Sequence, residues 1–305
     1  MISDQFGSHQ HVSFVARVIN EKFPYFSGTL TRQYETFGLP WLDAFNTELE
    51  VFFGKELDRL KSAVLGYGKF ALDAMKLQVK FQKTREYEAK TYEEAAALVY
   101  QDPAYMFNMY LPGILLSHYL WRHHYQQKLF FKEEFVPLAL KRKSKSFYDV
   151  GVGTGFYSRE LLANLPVTGI GLDLSASALS HAKSFVDSSD YSDRYQTNIT
   201  DIVNNTPKDK CDIICSIEVL EHLEDPYTFL KSLSSMTAKN GLGFISAAMN
   251  APNADHIYLF KHWSEVADLV TAAGFDITAK TVDTAYDPRR KGEIVPENVA
   301  FIVSK

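Results

Sequence analysis

Cysteine is nearly absent: Cys211 and Cys215 are the two in 305 residues. They lie four apart in one apolar stretch, on one face of an expected strand, where a bridge between them has poor geometry. Both are read as buried free thiols. No apolar run approaches the roughly 18 residues that a membrane helix needs. The opening MISDQFGSHQ has no basic stretch leading into an apolar core, so no secretion signal is expected. These absences predict an intracellular, cytoplasmic chain without membrane insertion. Positive charge is also short, with 32 Lys and Arg against 37 Asp and Glu for a net charge of −5. That balance counts against a general nucleic-acid binder and favours a small-molecule partner. No internal repeat and no low-complexity segment is found.

What is present is apolar side chain, at 46% of residues, enough for a large core and, at this length, for two domains. The texture changes at KRKSKS, residues 141–146, read as a solvated junction. Upstream, LDAFNTELEVFFGKELDRLKSAVLGYGKFALDAMKLQVKF spaces its apolar residues by three and four, as a helix does. TYEEAAALVYQ reads as a helix that stops before Asp102-Pro103. YMFNMYLPGILLSHYLWRHHYQQKLFF reads as a helix pair broken at Leu111-Pro112-Gly113. Downstream, strands and helices alternate, which implies a parallel sheet covered on both faces. The last two strands, FDITAKTVDT and NVAFIVSK, have no helix between them, so an antiparallel final pair is expected. The predicted organisation is a mostly helical domain over residues 1–143 and an α/β domain over 144–305.

The first downstream strand ends in Asp149 and runs into Gly151, Gly153 and Gly155. Ligands of open α/β sheets bind past the carboxyl ends of the strands. A strand-to-helix turn there exposes amide N–H groups at a helix N-terminus, and glycines let a ligand approach the backbone. A nucleotide-like cofactor follows. The dinucleotide fingerprint G-x-G-x-x-G is not met, because Phe156 stands where its third glycine should be. Asp173 ends the second strand in GIGLDLS, where a carboxylate can accept two ribose hydroxyls. A dehydrogenase and a methyltransferase would both use it. Past the fourth strand, CSIEVLEHLEDP clusters Glu218, Glu221 and His222 at the same edge of the sheet.

In their order and spacing, DVGVGTG, GLDLS and CSIEVLEHLEDP resemble the class I S-adenosylmethionine-dependent methyltransferases, over about residues 145 to 305. The nearest-looking branch is that of quinone-biosynthesis and small-molecule enzymes. The resemblance implies a Rossmann-like seven-stranded sheet, with S-adenosylmethionine as cofactor and S-adenosylhomocysteine as product. It also assigns roles. Gly151, Gly153 and Gly155 would pack against the methionine part, with Asp149 near its amino group. Asp173 would hold the ribose. Asn198 and Ile199 would flank the adenine, Asn198 standing where the family often has an acid. Ser216, Ile217 and Glu218 would border the methionine end. Thr154 and Leu174 complete the expected cofactor set.

Methyl transfer is an in-line displacement from a sulfonium, so positioning and exclusion of water can supply much of the rate. A base is needed only where the nucleophile holds its proton tightly. The candidates are His222, Glu221 and His256, the last in NAPNADHIYLF after the fifth strand. The expected substrate contacts are His118, Trp121, Arg122 and Tyr125 in LSHYLWRHHYQQ, together with Tyr157 and Asn250. Arg122 suits a carboxylate or phosphate, and aromatic faces suit a cation such as the sulfonium. E-x-x-E-H also resembles the metal-binding segment of small-RNA 2′-O-methyltransferases and some quinone O-methyltransferases. In that case Glu218, Glu221 and His222 would hold a metal, completed by His256 or His262. The pattern occurs in metal-free relatives too, and no metal is expected.

The expected function is methyl transfer to a small polar metabolite, amino-acid-like or a natural-product intermediate. The alternatives are a metal-dependent methyltransferase of RNA ends, which the acidic balance opposes, and a quinone O-methyltransferase, which the aromatic half suits. A cofactor-binding regulator without chemistry is the reading from another class. A nicotinamide dehydrogenase lacks its third glycine. The helical half would carry substrate specificity, as a lid, or a homodimer contact.

Overall fold

A computed structural model describes residues 6–305; Met1 to Gln5 of the N-terminal reading lie outside the described residues. Three long helices open it: α1 (Gln10–Lys22), α2 (Thr29–Phe53) and α3 (Leu57–Thr84). Gly38 (φ 69°, ψ −158°) kinks α2 just before Pro40, as a residue without Cβ can. Then come α4 (Tyr92–Ala95), α5 (Pro103–Tyr105), α6 (Leu111–Leu120), α7 (Arg122–Phe130) and α8 (Val136–Lys141). Wide π-turns at Ala96–Tyr100, Met106–Tyr110 and Phe131–Phe135 extend this run.

The helix does not break at Leu111-Pro112-Gly113. The π-turn before Pro112 makes room for a ring that cannot donate a hydrogen bond. Gly113 then lets the helix press against Phe70, whose ring a Cβ would meet at 2.4 Å. The break falls at Trp121 (φ −106°, ψ 127°). There the Tyr119 carbonyl, left over at the helix end, accepts from Gln33 Nε2 and Trp41 Nε1, each at 2.8 Å.

Seven strands follow: β1 (Ser146–Val150), β2 (Thr168–Asp173), β3 (Tyr195–Ile199), β4 (Cys211–Ser216), β5 (Thr237–Met249), β6 (Asp276–Thr284) and β7 (Glu297–Ser304). Between them lie α9 (Phe156–Asn164), α10 (Ala176–Asp187), α11 (Pro226–Met236) and α12 (Trp263–Ala272). The order is β3-β2-β1-β4-β5-β7-β6. All neighbours run parallel except β7, which is antiparallel to both β5 and β6, as the missing last crossover helix predicts. Strand order reverses between β1 and β4, so a crevice opens past their carboxyl ends.

One core carries both halves. Phe147, Ile213, Cys215 and Phe244 pack on one sheet face with residues of α1 to α3 and α6 to α8. Tyr148, Ile214 and Ile245 face the other way, onto α11 and α12. Cys211 and Cys215, both free, fall on opposite faces rather than on one. The β4–β5 register shifts between Cys211 and Ile213, and such an irregularity reverses the alternation of side chains. Among the described residues no helix is long and apolar enough to cross a membrane.

Candidate active site

A cavity of about 1380 Å³ opens past the carboxyl ends of β1, β2, β4 and β5, under the helical half. Two main-chain contacts fix its roof. The Tyr92 N–H donates to Glu224 Oε1 at 2.8 Å, and the Ala251 N–H donates to the Tyr87 hydroxyl at 3.1 Å.

The glycine loop forms the floor, and its three glycines serve different ends. Gly151 has φ 72°, and a Cβ there would meet Val219 Cγ2 at 2.5 Å. Gly155 has φ 79° and lies against α10, where a Cβ would meet Ala182 Cα at 2.8 Å. Gly155 caps α9 from behind and does not line the cavity. Gly153 has φ 52° and only the Gly151 carbonyl within 4 Å of an added Cβ, so its backbone is open to a ligand. Gly151, Gly153 and Thr154 line the wall.

Asp149 is buried and accepts from Ser158 Oγ at 2.7 Å. Burial raises its carboxyl to about 7, against the Ser158 hydrogen bond. Asp173 Oδ2 accepts from the Gly153 N–H at 3.2 Å and Oδ1 from the Ser175 N–H at 2.8 Å. The ribose-binding candidate therefore also braces the glycine loop. Leu174 lies beside it on the wall.

Asn198 and Ile199 are not brought to this wall. β3 is the sheet edge, and Ile199 is 67% exposed there. The next residues, Thr200 to Val203, line the cavity instead. The Thr200 N–H donates to the Asp173 carbonyl at 3.0 Å, drawing the segment inward. Asp201 then closes a turn by accepting from the Val203 N–H at 3.0 Å and Asn204 Nδ2 at 2.7 Å. The signal was the D-I-V-N turn pattern. Ser216 is likewise not on the wall; it is fully buried within β4, while Ile217 and Glu218 line the cavity.

Glu218 and Asn250 follow β4 and β5, and both take left-handed φ, 55° and 52°. Such backbone strain in residues with side chains concentrates at functional sites. The Glu218 N–H donates to Ser246 Oγ at 3.0 Å. Its carboxylate lies 3.4 Å from His124 Nε2. Burial works to raise Glu218, yet the His124 charge and hydrogen bond outweigh it and hold the carboxyl below its usual range.

Beyond Glu218 lies a second cluster. His222 Nδ1 faces Asp255 Oδ2 at 3.2 Å and the Asp255 carbonyl at 3.0 Å. Asp255 is fully buried; its Oδ2 accepts from the Tyr100 hydroxyl at 2.8 Å and also from the Tyr110 hydroxyl. Burial alone would lower His222, but the Asp255 charge raises it to about 9. In turn His222 holds Asp255 well below the carboxylate range against burial. The ring is therefore a cation at neutral pH and is not free to act as a base. The His256 ring stands edge-on to it, centroids 4.7 Å apart. Burial and the His222 charge push His256 down to about 4, so it is neutral, with a weakly basic ring nitrogen. Its Nδ1 has no hydrogen-bond partner, nor has either carboxylate oxygen of Glu221, whose Oε1 lies 4.0 Å from His222 Nε2. Burial and the nearby Glu218 raise Glu221 to about 8, against the pull of His222.

The substrate candidates divide. His118 lines the cavity, stacked on Phe156 at 4.1 Å and driven well below its usual range by burial. Trp121 lines it and stacks on Phe70 at 5.6 Å; Tyr157 lines it and accepts from Gln127 Nε2 at 3.1 Å. Arg122 lines it too, but its guanidinium is taken by Thr284 Oγ1 at 2.7 Å and Asp287 at 3.0 Å. It anchors the β6–β7 connection rather than offering a free anion site. Tyr125 lies outside the cavity, packed on Phe37 at 4.7 Å. Asn250 is also outside, its amide donating to the Lys261 carbonyl at 3.0 Å. His262 caps α12, accepting from the Ser264 N–H at 3.3 Å. Sequence reasoning missed Tyr100, Tyr110, His124, Asp201 and Asp255. Asp255 had one signal, its place next to His256.

Glu221, His222 and His256 bring one potential ligand atom each within 4.8 Å of one another. Glu218 of the E-x-x-E-H pattern is outside that group, drawn away to His124.

A methyltransferase-domain family model matches residues 121–280, more than half of the chain. The chain is similar to the ubiquinone biosynthesis O-methyltransferase of Glaesserella parasuis serovar 5, with 34% identity over 106 residues, 33% of this chain and 44% of that protein. It is 29% identical to the Coxiella burnetii protein of that name over 113 residues, 37% of this chain and 47% of the other. The matches thus span less than half the length of these curated relatives. Among solved structures, it is similar to the N-methyltransferase NodS from Bradyrhizobium japonicum in complex with S-adenosyl-l-homocysteine. That likeness covers 59% of this chain and 87% of that one, at 16% identity and a TM-score of 0.47. The chain belongs to the methyltransferase-domain family, in the class I, S-adenosylmethionine-dependent group.

Proposed function

We propose that this chain moves a methyl group from S-adenosylmethionine to an oxygen on a small, largely apolar acceptor. The observation that carries the reading is the neutral His256 ring, whose Nδ1 has no hydrogen-bond partner, on the same cavity as the Gly153 and Asp173 cradle. In the transfer the methyl leaves sulfur for the acceptor oxygen. Sulfur keeps the electron pair, and His256 takes the hydroxyl proton. Cationic His222 and protonated Glu221 would stabilise the oxygen as charge develops on it. Asp255 acts as a positioning residue, through His222.

The cavity wall favours an aromatic or quinone-like body over the small polar metabolite expected from the sequence. Phe70, Tyr110, Leu111, Ile114 and Trp121 supply it, and such walls bury apolar ligands. The names of the curated relatives point the same way. Because these residues come from the helical half, we read residues 1–143 as the acceptor-binding lid rather than a dimer contact.

A second reading takes Glu221, His222 and His256 as ligands of a divalent cation. The Glu221 oxygens, which accept no hydrogen bond, would suit one. The set is unfavourable while Asp255 keeps His222 protonated, since a ligating imidazole must be neutral. A cation there would polarise the acceptor oxygen.

The test is incubation with methyl-labelled cofactor and fractionated extract, with and without a chelator. Label is expected in the solvent-extractable small-molecule fraction, unaffected by chelator. Label in RNA, lost with chelator, would overturn the reading. Label confined to water-soluble metabolites would restore the polar acceptor.

A further inference from the structure

The outer part of the cavity differs from its floor in charge. Its wall comes from the start of α2, one face of α3 and the β6–β7 connection from Ala285 to Pro296. That connection is built, not loose. The Ala285 N–H donates to the Pro296 carbonyl at 2.8 Å, and Arg122 holds its first residues. On α3, Gln78 Nε2 donates to the Ile294 carbonyl at 2.8 Å, while Gln82 Oε1 accepts from the Ile294 N–H at 3.2 Å.

The cations on this wall are Arg32, Lys83, Arg122, Arg289 and Arg290, and the acids are Asp287 and Glu293. Asp287 is committed to Arg122. Glu293 Oε2 accepts from the backbone N–H of Arg289 at 2.6 Å. Among the described residues Arg32, Lys83, Arg289 and Arg290 have no ion-pair partner, and Arg289 lies over the Tyr286 ring at 5.1 Å. A chain of net charge −5 thus gathers five cations against two acids, a net positive rim, around an apolar opening. Low-dielectric walls focus such a field on the entrance.

We propose that this rim, with Arg289 and Arg290 at its centre, binds an anionic group carried by the acceptor. The ligand class is an apolar body ending in a carboxylate, sulfonate or phosphate. The group would sit at the mouth while the body reaches inward along the stacked Phe70 and Trp121 rings. Naming the ligand as the acceptor rests on the methyl-transfer reading; the anion site itself does not.

The probes are anilinonaphthalene sulfonate and its uncharged parent, phenylnaphthylamine, titrated by fluorescence into the full chain. The sulfonate is expected to bind roughly 5- to 10-fold more tightly than the parent at low salt, because two exposed guanidinium groups contribute modestly. The preference should shrink as salt rises. In the double variant R289Q/R290Q it should vanish, with the parent bound as before, which also reports an intact fold. Equal binding of both probes to the wild type, or a preference that survives R289Q/R290Q, would overturn the proposal. S-adenosylhomocysteine titrated into the same proteins separates the two claims. If it fails to bind, the methyl-transfer reading fails while the probe comparison still decides the anion site.

Discussion

Replacing Asp173 with Ala is expected to weaken S-adenosylhomocysteine binding by at least ~100-fold, since hydrogen bonds to a charged acceptor contribute about 1.5–3 kcal/mol each and the ribose offers two. The carboxylate has a second task, which adds to the loss. It accepts from the Gly153 and Ser175 amides, so its removal also frees the one loop glycine whose backbone is open to a ligand. Asp173→Asn keeps part of that bracing and should fall between the two. Calorimetric titration of all three proteins measures this; wild-type affinity in Asp173→Ala would remove the ribose assignment.

Loss of the His256 ring should lower kcat by about 10²- to 10⁴-fold, the usual contribution of a positioned base, with cofactor affinity unchanged. The pH profile carries the rest of the assignment. His256 stands at about 4 and His222 at about 9. The base is lost only as pH falls through about 4; as pH rises, the Glu221 proton is lost through about 8 and the His222 cation through about 9. Activity should therefore hold across neutral pH. Asp255→Asn removes the charge that raises His222, so the alkaline limb should move toward neutrality. A merely structural role for Asp255 would lower the plateau and leave the limb in place. The same titration followed on the His222 ring by NMR reports the shift without an acceptor.

The parts of the site that could be read from the sequence are those whose partners are near in the chain. The glycine loop and Asp173 form one strand-turn-helix unit and its neighbour, and their spacing alone implies a cradle. Glu221 and His222 were visible for the same reason. Asp255 was not, because its hydroxyl partners Tyr100 and Tyr110 lie 155 and 145 residues away. No local pattern marks a contact that packing makes across the whole fold. Arg122 failed in the opposite sense: its chemistry was read correctly, but Thr284 and Asp287, 162 and 165 residues on, had already taken it. Asn198 and Ile199 were misplaced by the few residues between the end of an edge strand and the turn that reaches the cavity. The parallel sheet and its antiparallel last pair were legible because they follow from where crossover helices stand in the element order. The fate of Leu111-Pro112-Gly113 was not, since a π-turn is no part of a proline's local preference.

The most direct test of the central claim is a crystal structure of the chain with S-adenosylhomocysteine. The expected result has the ribose hydroxyls on Asp173, the adenine beside Leu174 and Ile202, and the sulfur turned toward the Glu221 and His256 side of the cavity. A nucleoside bound elsewhere, or a sulfur pointing away from His256, would contradict it.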